Sequence, residues 1–243
     1  MLLPFNAASG RGLHLEPPPW HHPAFVDTSL ALGAGMSYAS GDTQAVLFPL
    51  VLAPIRRGPI LFALRWEYLS VRTATGHVYG LGDPRVFARL LLLGKGTGGA
   101  SLQVEGSARL PTASPRLYPY ASGGQELEFA GSLGVPWLFG FVGGAGRIWS
   151  EPPAGSTLRS ADVPHATHVW GLASRRHRSW ALAVRGDQLF MHGGGRRSVV
   201  EANLSSLAPG ALGVTLGVGL EVGRRRDRIF DGMASLRLVT CRR

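Results

Sequence analysis

Apolar and polar residues alternate along most of this chain with a period of two, the spacing of β-strands whose faces meet different surroundings. Between Ala211 and Val222, Leu212, Val214, Leu216, Val218, Leu220 and Val222 take one face; Gly213, Thr215, Gly217, Gly219 and Glu221 take the other. Leu102, Val104, Ala108 and Leu110 alternate likewise with Gln103, Glu105, Ser107 and Arg109. Ile60, Phe62, Leu64, Trp66 and Tyr68 alternate with Ala63, Arg65 and Glu67, and Phe230, Ala234, Leu236 and Leu238 with Asp231, Ser235 and Arg237. No helical period competes.

Twelve such runs fall near 24–40, 45–56, 59–72, 84–94, 99–110, 125–135, 137–149, 164–174, 178–189, 197–207, 210–223 and 228–240. Several reach ten residues, where soluble strands average ~5–6 and tilted membrane strands need ~9–11. Long connections at 73–83, 111–124, 150–163 and 190–196 alternate with short ones carrying Gly, Pro or Arg. Short turns at one end and long loops at the other are the habit of outer-membrane barrels. The pattern predicts an all-β fold: a closed antiparallel up-and-down transmembrane β-barrel of about 12 strands over residues 23–243. Residues 1–22, with Pro17-Pro18-Pro19-Trp20, read as an extended lead-in. Pro49 and Pro54 fall inside the second run, which must then carry bulges or be shorter.

Composition agrees. Charged residues make up only 16% of the 243, against ~25% in soluble proteins. No apolar stretch approaches the ~18 residues of a membrane helix, so a membrane protein of this sequence must be a barrel. Met1-Leu2-Leu3-Pro4-Phe5 has no charged segment followed by an apolar one, so the export signal a bacterial outer-membrane protein needs is expected outside the visible start.

The net charge of +10 is almost all arginine, Lys95 being the single lysine. Pairs and triplets such as Arg56-Arg57, Arg175-Arg176, Arg196-Arg197 and Arg224-Arg225-Arg226 sit at expected turns. No nucleic-acid-binding motif accompanies them, and no nucleic-acid partner is expected. Arginines at strand ends suit outer-membrane lipid headgroups and lipopolysaccharide phosphates; arginine bias from a GC-rich genome explains them equally well. Other envelope proteins are further candidate partners, and the oligomeric state stays open. A lone Cys241 makes neither an internal disulfide nor a cysteine zinc site.

Two short motifs add a family resemblance. Gly80-Leu81-Gly82-Asp83 opens the fourth run, and Leu110-Pro111-Thr112 closes the fifth; a Gly123-Gly124 turn and the glycine-rich segment from Gly140 to Gly146 follow. In this order the chain, from Trp66 to Arg147, resembles the outer-membrane family named for the MetA pathway of phenol degradation. There a Gly-Leu-Gly-Asp turn precedes a strand and a Leu-Pro-Thr-Gly segment ends the next; Ala113 stands here for the last glycine. The resemblance implies a barrel with a transport or envelope role, and no substrate or catalytic residue.

With the apolar faces toward lipid, the lumen would be lined by Arg65, Glu67, Arg89, Glu105, Arg109, Glu126, Glu128, Arg185, Glu201, Glu221 and Arg237, joined by Asp27 and Asp231. Mixed signs allow either a narrow pore for a small polar or aromatic solute or an internal ladder of ion pairs that leaves no path. Trp20, Trp66, Tyr68, Trp137, Trp149, Trp170 and Trp180 lie mostly toward run ends, as interfacial girdles require; the core of a soluble sandwich is the competing explanation.

Candidate chemistry is thin. His165 and His168, three apart on a strand, face opposite ways, which is poor for one metal; His21, His22 and His192 fall in loops. Gly94-Lys95-Gly96-Thr97 lacks the Ser or Thr that a phosphate loop needs directly after lysine. No cofactor, metal or enzyme activity is expected. The function expected is a narrow outer-membrane pore or transporter. A non-conducting barrel that docks a larger envelope machine is the alternative. A barrel-embedded lipid hydrolase comes third, with serines and histidines to hand but nothing in the sequence to fix their geometry. A soluble lectin-like sandwich is opposed by the long apolar faces.

Overall fold

A computed structural model describes residues 30–40, 44–57, 59–73, 76–94, 100–113, 117, 125–135, 140–150, 165–177, 179–191, 196–206, 212–222 and 232–242, with the backbone alone from 30 to 57. Thirteen strands occupy them: β1 Leu30–Ser40, β2 Gln44–Arg57, β3 Ile60–Thr73, β4 Gly76–Leu81, β5 Arg85–Leu93, β6 Ser101–Arg109, β7 Glu126–Val135, β8 Gly140–Ser150, β9 Ala166–His177, β10 Trp180–Met191, β11 Arg196–Ser206, β12 Leu212–Val222 and β13 Gly232–Arg242. All pair antiparallel in one up-and-down sheet. Neighbours in sequence are neighbours in the sheet, except that β3 pairs with β4 through Tyr68–Thr73 and with β5 through Ile60–Arg65. The first strand also pairs with the last, Leu30 opposite Arg242 through Ser40 opposite Gly232.

The sequence reading needs correcting at β4. Residues 73–83 read as a connection because Gly76 and Gly80 break the pattern, yet His77, Tyr79 and Leu81 alternate with Val78 and pair with β3. Arginines expected at turns also lie in strands: Arg56 and Arg57 end β2, Arg175 and Arg176 belong to β9, and Arg196 and Arg197 open β11. Residues 24–29 of the first expected run lie outside the described residues.

Both prolines stay within β2. The β2–β3 register shifts between Leu52 and Ile55, around Pro54. On the other edge the pairs with β1 skip from Leu50 to Leu47, around Pro49. A residue without an N–H cannot complete a ladder, so the sheet yields there. Gly94, at φ +91°, turns the chain out of β5, a conformation that side chains with a Cβ rarely adopt.

The two faces are reversed relative to a water-soluble sheet. On β10, Arg185 and Asp187 are buried while Trp180, Leu182, Val184 and Phe190 are exposed. On β12, Thr215 and Glu221 are buried while Val214, Leu216, Val218, Leu220 and Val222 are exposed, Val218 by 64%. The same holds along β6, whereas β3 buries Arg65 among Leu61, Ala63, Leu69 and Val71, and β5 buries Phe87 between Arg85 and Arg89. A continuous exposed apolar surface of this size is unstable in water and suits hydrocarbon.

Candidate functional site

The two family-like motifs form one corner. Asp83, 3% exposed, accepts hydrogen bonds from the backbone N–H groups of Thr112 at 2.8 Å and Ala113 at 2.7 Å. The Leu110 N–H donates to the Pro84 carbonyl at 3.0 Å, and Trp66 Nε1 donates to the Gly82 carbonyl at 2.8 Å. Pro111 sets the turn that aims the two donors. Gly80 lies against the buried Leu117, whose Cδ1 would be 3.2 Å from a Cβ placed there.

Charged side chains on the buried face connect across strands. Arg85 on β5 donates through Nη2 to Glu128 on β7 at 2.7 Å and to Ser107 on β6 at 2.8 Å. A second Glu128 oxygen meets His168 Nδ1 on β9 at 2.7 Å, and His168 Nε2 meets Asp187 on β10 at 2.8 Å. Arg185 grips Asp187 with Nε at 2.6 Å and Nη2 at 2.5 Å, and lies 5.0 Å over the Trp170 ring. Glycine makes the space: a Cβ on Gly144 would stand 2.7 Å from the Trp170 ring. Glu105 accepts from Gln103 and Ser132, both at 3.0 Å. Arg109 and Glu126 face each other at 3.4 Å. Farther round, Arg197 holds Glu221 with Nε at 2.5 Å and Nη2 at 2.8 Å. Beside that, the wall turns neutral: Thr215 donates to Ser205 at 3.0 Å, near Asn203.

Several contacts share an offset. Glu128, His168 and Asp187 each lie two residues beyond the register position opposite their partner, as does Ser132 from Glu105. The displacement always runs the same way, as it must where strands tilt and side chains at one height are not ladder partners.

Of the residues expected on the polar face, Arg65, Arg89, Glu105, Arg109, Glu126, Arg185 and Glu221 are buried, and Glu128 and Glu201 half-buried. The side chains of Glu67 and Arg237 lie outside the described residues, as do Asp27 and Asp231. Arg85, Asp187, His168 and Arg197 were missed. Arg85 and Asp187 have the parity of Arg89 and Arg185 and could have been read from it. His168 reads in sequence only as a neighbour of His165, and Arg197 only as a turn residue, because their carboxylate partners come from other strands. Trp149 and Trp180 are exposed near strand ends, but Trp170 is buried in mid-strand against Arg185 and forms no girdle. Among the described residues no group of His, Cys, Asp and Glu is arranged to hold a metal ion.

Known structures share this architecture. The COG4313 outer membrane channel from Pseudomonas putida F1 superposes with a TM-score of 0.67 at 11% identity, covering 93% of this chain and 99% of that one. The NanC porin gives 0.62 at 10% identity, over 87% of this chain and all of that one, 100%. This is the fold of the outer-membrane channels and porins. The KdgM porin, solved in complex with disordered oligogalacturonate, gives 0.55 at 7% identity over 88% of this chain and 99% of that one. No family model and no curated protein matches the chain, so the resemblance to the MetA-pathway family rests on its two motifs.

Proposed function

We propose that this chain resides in the bacterial outer membrane, among its lipids and lipopolysaccharide, as a narrow charge-lined pore for a small polar or aromatic solute. The observation that carries the reading is the joined polar network from Arg85 to Arg185 on the buried face of a sheet whose other face is apolar and exposed. In this reading the pairing of β1 with β13 and of β2 with β3 closes the sheet into a barrel of twelve staves, with β4 and β5 sharing one. Such a barrel falls between the filled eight-stranded kind and the wide porins of ~16 strands. Arg65, Glu67, Arg89, Glu105, Arg109, Glu126, Glu128, Arg185, Glu201, Glu221 and Arg237 then face the lumen. Ion pairs held close against the wall leave the passage to small solutes and select against apolar ones.

Liposome swelling tests this. Vesicles carrying the refolded protein should admit small amino acids and monosaccharides and exclude larger oligosaccharides. Swelling no faster than that of empty vesicles, with the protein folded and inserted, would refute a pore.

A further inference from the structure

On the outer face of the β3–β4 hairpin, Ser70 Oγ lies 2.8 Å from His77 Nε2. With the imidazole proton on Nδ1, the Ser70 hydroxyl donates to Nε2, which is the contact of a hydroxyl nucleophile with its general base. The imidazole has an aromatic neighbour, the Tyr79 ring with its centroid 5.5 Å away. Arg72 follows Ser70 by two residues on the same face, stands opposite His77 in the register and is exposed.

Height decides what this pair meets. The outward residues of β3 run Ile60, Phe62, Leu64, Trp66 and Tyr68, all exposed and apolar or aromatic, before Ser70 and Arg72. Eight residues of strand span about 26 Å, or ~20 Å along the membrane normal at the usual tilt, close to the apolar band of an outer-membrane barrel. Ser70 is one step past Tyr68 and stands opposite the exposed Tyr79 in the register, so it lies at the aromatic edge of that band, at the level of lipid ester groups. Arg72 is one step farther, at the level of headgroup phosphates.

We infer that Ser70 and His77 form the catalytic dyad of an esterase acting on acyl esters of membrane lipids, an activity separate from the pore but resting on the same membrane placement. Ser70 Oγ bonds to the ester carbonyl carbon as its proton passes to His77 Nε2. The bond from that carbon to the lipid alcohol breaks, and the alcohol leaves with the proton from His77. Water, deprotonated by His77, then attacks the acyl-serine, releasing the fatty acid and restoring Ser70. Arg72 binds the anionic headgroup beside the scissile ester. Sequence alone cannot find such a pair, because seven residues and a hairpin turn separate its members.

The test uses the full chain refolded in mixed micelles, with diacyl phosphatidylethanolamine in one arm and purified lipid A in the other. Fatty-acid release in either arm is expected and names the lipid. S70A and H77N should each lower it by about 10²-fold or more, while heat-modifiable gel migration stays that of the folded protein. A fluorophosphonate probe should label Ser70 and fail to label S70A. No release together with no labelling overturns the inference, as does release that persists in S70A. Conductance of the same preparations is read separately. Labelled and hydrolysing protein without conductance defeats the pore alone, and conducting protein that neither hydrolyses nor labels defeats the esterase alone.

Discussion

Glu128 on β7 and His168 on β9 meet at 2.7 Å although β8 runs between them. Gly146 occupies the β8 position opposite both Ala130 and His168, and a Cβ there would strike Ala130 and the Phe129 carbonyl. Gly146→Ala should therefore push β7 outward and cost ~1–3 kcal/mol, the usual penalty for overpacking. Gly131→Ala, whose Cβ would meet nothing within 4 Å, should be nearly neutral. Urea midpoints of the refolded barrels in detergent compare the two; equal midpoints would mean the close approach across β8 does not depend on glycine.

Arg197 and Glu221 form a two-pronged ion pair with both side chains buried. Arg197→Met takes the two-pronged donor from a buried carboxylate and should destabilise by ~3 kcal/mol. The double change Arg197→Met with Glu221→Met should cost less than the sum of the two single changes, because the pair's own attraction is counted only once. A double-mutant cycle by urea unfolding checks this, and additive losses would count against it.

Asp83 ties the turn at Thr112 and Ala113 to the end of β4. Asp83→Ala leaves the Ala113 N–H without its acceptor, while the Thr112 N–H keeps the Leu110 carbonyl at 2.9 Å, and should cost ~1–2 kcal/mol. The loss should be local: proteolysis within residues 110–125 should quicken while the heat-modified gel shift persists. Unchanged cleavage would show that the corner holds without Asp83.

Val218, on the exposed face of β12, distinguishes lipid from water around the sheet. Val218→Arg should cost ~2–4 kcal/mol in a bilayer if the position is near the midplane. On a water-facing surface the same change falls within ~0.5 kcal/mol. Refolding yields into phospholipid vesicles separate the two cases.

How far the sequence disclosed all this follows from what period-two patterns can encode. β12 was legible face by face, because leucine and valine alternate with glycine and polar residues without a break; in β10 the alternation fails at Gly186 and Gln188 on the outer face and at Leu189 and Met191 on the buried one. β4 was not, because glycines at 76 and 80 look like turn residues whether the chain turns or pairs. For the buried face, alternation told which way Arg185 and Glu105 point and nothing about their partners. Arg85, Glu128, His168 and Asp187 sit on four different strands, and strand tilt moves their contacts two residues off register. That offset is a property of the assembled sheet. His168 was hidden for a further reason: its value lies in two carboxylates brought by other strands, and neither is near it in sequence.

The most direct test of the central claim is single-channel recording of the refolded protein in a planar bilayer, with heat-modifiable migration as proof of folding. The account predicts steady conductance steps, with altered ion selectivity when Arg185 and Asp187 are replaced together. Folded, inserted protein that gives no steps would contradict it and leave the buried ion pairs as a seal.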